Sequence, residues 1–219
     1  MPIPEPAGRS EPARELVRDR VYAQVRNAIL TGVLLPGERL DEAELRKWLQ
    51  VSGTPIRQAL HTLSLEGLVQ TAPQSYSAVI APKPERALET LQTIGVLLAG
   101  ATLMTLPRLD EAARAELARL ADAVIDSLQV GDVPAITTAA EAFFTLILHA
   151  CPNPVLVEII ARSGPSLSYH VSVAHQGLDA DLVELARGYE TLKTALEHHD
   201  DRGVVAATKR VFRVDCATS

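Results

Sequence analysis

Arg57, Gln58 and His61 fall on the polar side of a short segment whose apolar side is Ile56, Ala59, Leu60 and Leu63. A guanidinium offers a planar fork of donors that fits guanine or phosphate, and His61 follows Arg57 by one helical turn on the same side. Ser52, Gly53 and Thr54 stand just before this segment, where Thr54-Pro55 reads as a helix start: an N-cap hydroxyl, then proline at the first helical position. Free backbone N–H groups at such a start meet phosphates. The chemistry is therefore recognition of a polyanion. Catalysis finds no support, because the chain carries no Gly-rich phosphate loop, HExxH, GxSxG or Cys/His nucleophile pairing. Arg57 also suits a solvated surface charge or an ion pair within its own domain. His61 equally suits a plain exposed polar residue or a partner of the wing.

The elements that position these residues follow from periodicity. Val17, Val21, Val25 and Ala28/Ile29 recur at helical spacing and stop at Thr31-Gly32, and Leu35-Pro36-Gly37 is a turn. Asp41 is an N-cap for a second helix with Leu45, Trp48 and Leu49 as its apolar stripe, leaving Arg46 and Lys47 outside. The third helix runs from Pro55 to about Glu66 and ends at Gly67. Residues 68–71 and 78–81 then read as two short strands around a turn containing Ser75 and Tyr76. Two helices joined tightly and followed by a two-stranded wing place the recognition helix in a major groove and the wing turn on phosphates. Ser52, Gly53, Thr54, Arg57, Gln58, His61, Ser75 and Tyr76 are the candidate DNA-binding residues.

Residues 1–13, rich in Pro, Gly and charge, read as a disordered arm, and 14–81 as the winged helix-turn-helix. Pro82-Lys83-Pro84 breaks the pattern, so 82–86 is a linker and 87–219 an all-helical domain for effector binding and dimerisation. Six helices are expected near 84–104, 109–129, 132–150, 154–172, 180–199 and 201–214, with caps at Asp110 (or Leu109), Asp132, Asn153 and Asp179. The fold class is mostly α: a winged helix-turn-helix and a bundle of about six helices.

Composition agrees. The 219 residues are 47% hydrophobic but only 4% aromatic, which disfavours an all-β sandwich. The apolar run near 94–106 reads as too short for a membrane span, and two widely spaced cysteines suit a reducing compartment, so a cytoplasmic protein without a membrane partner is expected. The net charge of −6 is uneven: residues 1–81 hold nine Lys/Arg and nine Asp/Glu, and the acidity lies wholly beyond them. A balanced head on an acidic body remains compatible with a local DNA-binding face.

The segment from Tyr22 to Ala81 resembles the N-terminal domain of GntR-family bacterial transcription regulators. The matching text is Leu35-Pro36-Gly37-Glu38-Arg39-Leu40, Glu44-Leu45, Val51-Ser52-Gly53-Thr54-Pro55-Ile56-Arg57-Gln58-Ala59-Leu60 and Glu66-Gly67-Leu68-Val69. The helical remainder, with Asn153-Pro154 after a helix, is similar to the sensing domain of the FadR-like branch. The resemblance implies a homodimeric regulator, most simply a repressor, that reads a palindromic operator and senses a small molecule. A constitutive dimer with a ligand-blind bundle is the alternative.

Two departures change that expectation. The family usually carries arginine after Val-Ser, where this chain has Gly53, and an Arg-Gly step in the wing, where it has Ser75-Tyr76. Fewer cations should weaken phosphate binding and flatten its salt dependence. The resemblance also implies a metal held by one Asp and three His in many sensing domains. Aligning on Asn153 puts these positions at Ala140, Phe144, Tyr189 and Val211 or Phe212, so no metal or other cofactor is expected. His170 and His175 lie about 140° apart around a helix and do not rebuild the site. Phe144, His149, Tyr169, His170 and Tyr189 are the candidate effector-pocket residues.

Overall fold

Val21, Val25, Ala28 and Ile29 are buried along one side of α1 (Val17–Leu30), as their spacing requires. The computed structural model describes residues 16–72, 76–174 and 181–214, and these divide between two compact units, Met1–Ala81 and Pro82–Ser219.

In the first unit α2 (Glu42–Leu49) opens on Asp41, whose Oδ1 accepts from the Ala43 and Glu44 amides at 2.7 and 3.1 Å. These bonds hold the Asp41 carboxyl below its ordinary value. The recognition helix α3 spans Gly53–Leu65. It starts two residues before the expected Pro55: Ser52 takes the cap position, and Pro55 sits in the first turn, where its missing N–H costs no helical bond. Ile56, Ala59, Leu60 and Leu63 are its buried face and pack against α1.

The sheet also differs from the sequence reading. Besides β2 (Val69–Ala72) and β3 (Tyr76–Val79) it contains β1 (Arg39–Leu40), in the order β1-β3-β2. Arg39 pairs with Ala78 and Leu40 with Ser77. Two residues are too few to show alternation, so this strand has no local signature and forms because Leu40 is buried.

The second unit is helical among its described residues: α4 (Ala87–Thr105), α5 (Glu111–Val130), α6 (Val133–His149), α7 (Pro154–Ala174), α8 (Leu182–Glu197) and α9 (Asp201–Val211). A 3-10 turn at Pro84–Arg86, within the segment read as a linker, packs against α4 and α7. Asp110 and Asp132 cap α5 and α6. The cap of α8 is Asp181, accepting from Val183 and Glu184, whereas the expected Asp179 lies outside the described residues. Asp200 caps α9. α5 packs on α6 and α8, α8 on α9, and α4 on α7 and α9.

Leu117, Phe143, Ile147, Leu192 and Leu196 lie at the centre of the bundle. Buried hydroxyls there are satisfied: Thr105 donates across to the Ile147 carbonyl at 3.1 Å, and Thr102 to Leu98 at 2.8 Å. The stretch 84–108 around α4 is, by length and composition, long and apolar enough to cross a membrane, contrary to the sequence reading. Leu98, Ala99, Ala101, Thr102 and Thr105 nonetheless bury one side of it inside the bundle.

Candidate nucleic-acid interface

Helix α3 separates its two faces cleanly. Ser52, Thr54, Arg57, Gln58 and His61 are exposed, and Gly53 is half-buried, opposite the buried Ile56, Ala59, Leu60 and Leu63. The expected reading residues thus share one solvent-facing side of one helix, beginning at its N-terminus. The Arg57 guanidinium is not free there: its Nη1 lies 3.4 Å from Oε2 of Glu42 in the first turn of α2. Arg46 and Lys47, in the last turn of α2, are exposed.

In the wing, Tyr76 is exposed at the start of β3, while Ser75 lies outside the described residues. The Arg39 guanidinium stands 5.4 Å over the Tyr76 ring. The register explains the contact, since Arg39 faces Ala78 and Tyr76 is two residues away on the same face. Behind the head, Tyr22 of α1 donates to Glu66 at the end of α3 at 2.6 Å, and Arg26 lies 3.5 Å from the same carboxylate.

The effector candidates divide into groups. Phe143 links Phe144, at 5.0 Å between ring centroids, to Tyr189 at 6.3 Å, and Phe144 stands 5.5 Å from Phe212. Ala140, Tyr189, Val211 and Phe212 belong to one apolar cluster with Val124 and Leu128. His149 is exposed in the last turn of α6. Tyr169 and His170 form an edge-on ring pair on α7, 6.1 Å apart, Tyr169 buried and His170 half-buried. A separate surface cleft of about 400 Å³ lies between α5 and α8, lined by Arg114, Arg119, Asp122, Lys193 and Glu197 among others. Its charges are largely paired, Lys193 with Asp122 at 2.8 Å and Arg114 with Asp201 at 2.9 Å.

Comparison with known proteins decides what this arrangement belongs to. Residues 17–79 match the model of the bacterial regulatory proteins of the gntR family, and residues 89–214 match the FCD domain. The chain belongs to the GntR family. It is a helix-turn-helix transcription regulator with an FCD domain, and not an enzyme. A GntR head implies DNA binding, and an FCD domain implies binding of a small-molecule effector.

An HTH-type transcriptional regulator from the TAR-I ttuE-ttuC' intergenic region of Agrobacterium vitis is 30% identical over 155 residues, covering 65% of this chain and 90% of that protein. McbR of Escherichia coli K12 is 28% identical over 189 residues, 84% of each chain. Among solved structures, E. coli McbR/YncC superposes with a TM-score of 0.67 over 92% of this chain and 96% of that one, at 22% identity. A GntR regulator from Rhodococcus sp. RHA1 gives 0.61 over 92% and 99%, also at 22% identity. At that identity the structures speak for the fold alone.

Within the GntR frame the four positions aligned with the metal ligands can be tested chemically. They converge, but as a methyl, a phenyl, a phenol and the Val211/Phe212 hydrocarbon. Tyr189 supplies the one oxygen, and burial pushes its pKa well above the ordinary tyrosine value, so it stays a neutral phenol. These residues do not fit a metal. Among the described residues no other group of three or more His, Cys, Asp or Glu is placed to hold one.

Sequence reasoning missed Glu42 and Arg39 as neighbours of the candidate residues. Glu42 is fifteen positions from Arg57 and reaches it only through the angle between α2 and α3. Its sole advance signal was an acidic residue in the first turn of the helix before the recognition helix.

Proposed function

We propose that the chain acts in the cytoplasm as a metabolite-responsive repressor, binding a palindromic operator as a homodimer. The observation that carries the reading is the exposed, polar first turn of α3, with Arg57 projecting beside the helix N-terminus and the opposite face locked against α1. Ser52, Thr54, Arg57, Gln58 and His61 read the major groove, and the wing at Ser75-Tyr76 meets phosphates. A two-fold protein presents two such helices about one DNA turn apart. An effector regulates by binding the DNA-competent and incompetent spacings with different affinity.

The test is selection of bound DNA from a random pool, followed by a salt titration on the selected site. Palindromic half-sites are expected, with a salt slope below that of about eight phosphate contacts, since Gly53 and Ser75-Tyr76 replace cations. A chain that is monomeric at micromolar concentration and selects no palindrome overturns the reading.

The largely apolar packing at Ala140, Phe144, Tyr189 and Phe212 favours a second reading, a constitutive dimer whose bundle binds no ligand. A thermal-shift screen of organic acids and apolar metabolites, with and without chelator, separates the two. A compound that raises the melting temperature and changes operator affinity supports the sensing regulator.

A further inference from the structure

The three strands of the first unit, Arg39–Leu40, Val69–Ala72 and Tyr76–Val79, carry one charged side chain among them, Arg39. The wing sequence from 68 to 82 holds no Asp, Glu, Lys or Arg at all. β1 is an edge strand of the sheet, with Leu40 buried and Arg39 exposed. A cation on an edge strand guards against pairing with another sheet, but that duty leaves its direction open. Here the direction is fixed: the guanidinium carbon stands 5.4 Å over the centroid of the exposed Tyr76 ring.

The neighbouring acids do not claim this guanidinium. Glu38 Oε2 accepts from the Leu35 amide at 2.6 Å. Asp41, whose carboxylate also feels the Arg39 charge, accepts from the Ala43 and Glu44 amides at 2.7 and 3.1 Å. Both carboxylates are thus turned to backbone, and Arg39 has no hydrogen bond or ion pair among the described residues. By contrast Arg18, Arg26 and Arg57 of the same unit lie 3.2, 3.5 and 3.4 Å from a carboxylate oxygen.

A cation over an aromatic face is held by its charge, so its N–H donors remain open to a further acceptor. Ordering the side chain beforehand also lowers the entropy lost when that acceptor arrives. The acceptor that matches the fork of a guanidinium is a carboxylate or a phosphate. Beside a helix that reads DNA, it is a backbone phosphate.

We infer that Arg39 is a DNA phosphate contact, supplied from β1 beside a wing that has no charge of its own, and that Tyr76 positions its guanidinium. The inference rests on the DNA-binding reading above and adds a contact residue to it.

The test is fluorescence anisotropy of the full chain on a duplex of the selected operator and on a random-sequence duplex of the same length, over a salt series. Arg39→Ala should weaken both complexes by the same factor, about tenfold, and lower the salt slope by about one unit per half-site. Arg39→Lys should keep the slope and lose part of the affinity, since the charge stays while the fork goes. Tyr76→Ser should also keep the slope while weakening both complexes, and Tyr76→Phe, which retains the ring, should match the wild type. All four variants change exposed positions and should keep the wild-type far-UV circular dichroism and melting temperature. Equal losses in Tyr76→Phe and Tyr76→Ser would make the hydroxyl the contact and overturn the positioning role. A loss in Arg39→Ala confined to the operator would make Arg39 a base reader and overturn the phosphate contact. Wild-type binding that Arg39→Ala leaves unchanged in affinity and slope overturns the inference and leaves the regulator reading standing. A wild type that binds neither duplex overturns both.

Discussion

Arg57 Nη1 and Glu42 Oε2 lie 3.4 Å apart, and the guanidinium passes beside Gly53, 3.8 Å from where a Cβ there would stand. The pair joins the start of the second turn of the recognition helix to the first turn of the helix before it. Both side chains are well exposed, so the bond is worth little in stability, about 0–1 kcal/mol. Its consequence is directional: it sets where the exposed guanidinium points.

Replacing Arg57 with Ala should therefore leave the melting temperature within a degree or two and change DNA recognition. Loss of a bidentate base contact costs about 1–3 kcal/mol and relaxes discrimination at one position per half-site. Fluorescence anisotropy on the selected operator and its single-base variants measures both. Uniform weakening across all variants would instead make Arg57 a phosphate contact.

Glu42→Gln removes a carboxylate beside the expected path of the phosphates while keeping its size. Affinity for random-sequence DNA should rise, and discrimination between operator and random DNA should fall as Arg57 loses its tether. The readout is the ratio of the two dissociation constants at one salt concentration. An unchanged ratio with intact affinity would leave Glu42 without a positioning role.

The helices were legible because periodicity reports burial. Val21, Val25 and Ile29, or Ile56, Leu60 and Leu63, recur where one side of a helix must be dry. Asp110 and Asp132 were legible as caps because a short carboxylate before an apolar run has one common use. Strand β1 was not, since Arg39-Leu40 becomes a strand only by meeting Ala78 and Ser77 nearly forty residues on. The cap of α8 was misplaced by two residues because 179 and 181 are both Asp, and only the helix start chooses between them. Most of the candidate reading face followed from helical spacing, whereas Glu42 did not, being brought to Arg57 by tertiary packing. The convergence of Ala140, Tyr189 and Phe212 came from family resemblance, not from spacing within any one helix.

Gly95 tests the packing of the C-terminal segment on α4. A Cβ there would collide with the Phe212 side chain and stand 2.7 Å from Val214 Cγ2. Gly95→Ala should cost about 1–3 kcal/mol by overpacking, outweighing the gain in helix propensity. Gly164→Ala is the control: its Cβ meets only Ile160 Cγ2, at 3.9 Å, and should be neutral or stabilise by up to about 1 kcal/mol. Urea unfolding of the two variants gives the comparison, and equal midpoints would overturn the packing argument.

Tyr22 carries a pH signature. Burial, then its hydrogen bond to the negatively charged Glu66, push its pKa up to about 12 from an ordinary value near 10. Because folding raises this pKa, the contribution of Tyr22 to stability is complete below pH 10 and is lost as pH rises toward 12. Tyr22→Phe should lower stability at pH 8 by about 1.5–3 kcal/mol, the worth of a bond to a charged acceptor. It should also lose less further stability between pH 10 and 12 than the wild type. Parallel decline of both proteins over that window would remove Tyr22 from the account.

Gly53→Arg adds a cation at the position where the family resemblance implies one. The backbone permits it, because Gly53 is not among the residues with positive φ and a Cβ meets nothing nearer than 3.8 Å. The new side chain would start one turn before Arg57 and share its approach to Glu42, so at most one arginine is held by that carboxylate. The other is free for a phosphate. Operator affinity should rise, and the slope of log affinity against log salt should steepen by about one unit per half-site. A rise in affinity with no change in slope would mean that the arginine reads a base or repacks the helix start. No change in either would place residue 53 away from the DNA and require a different docking of α3.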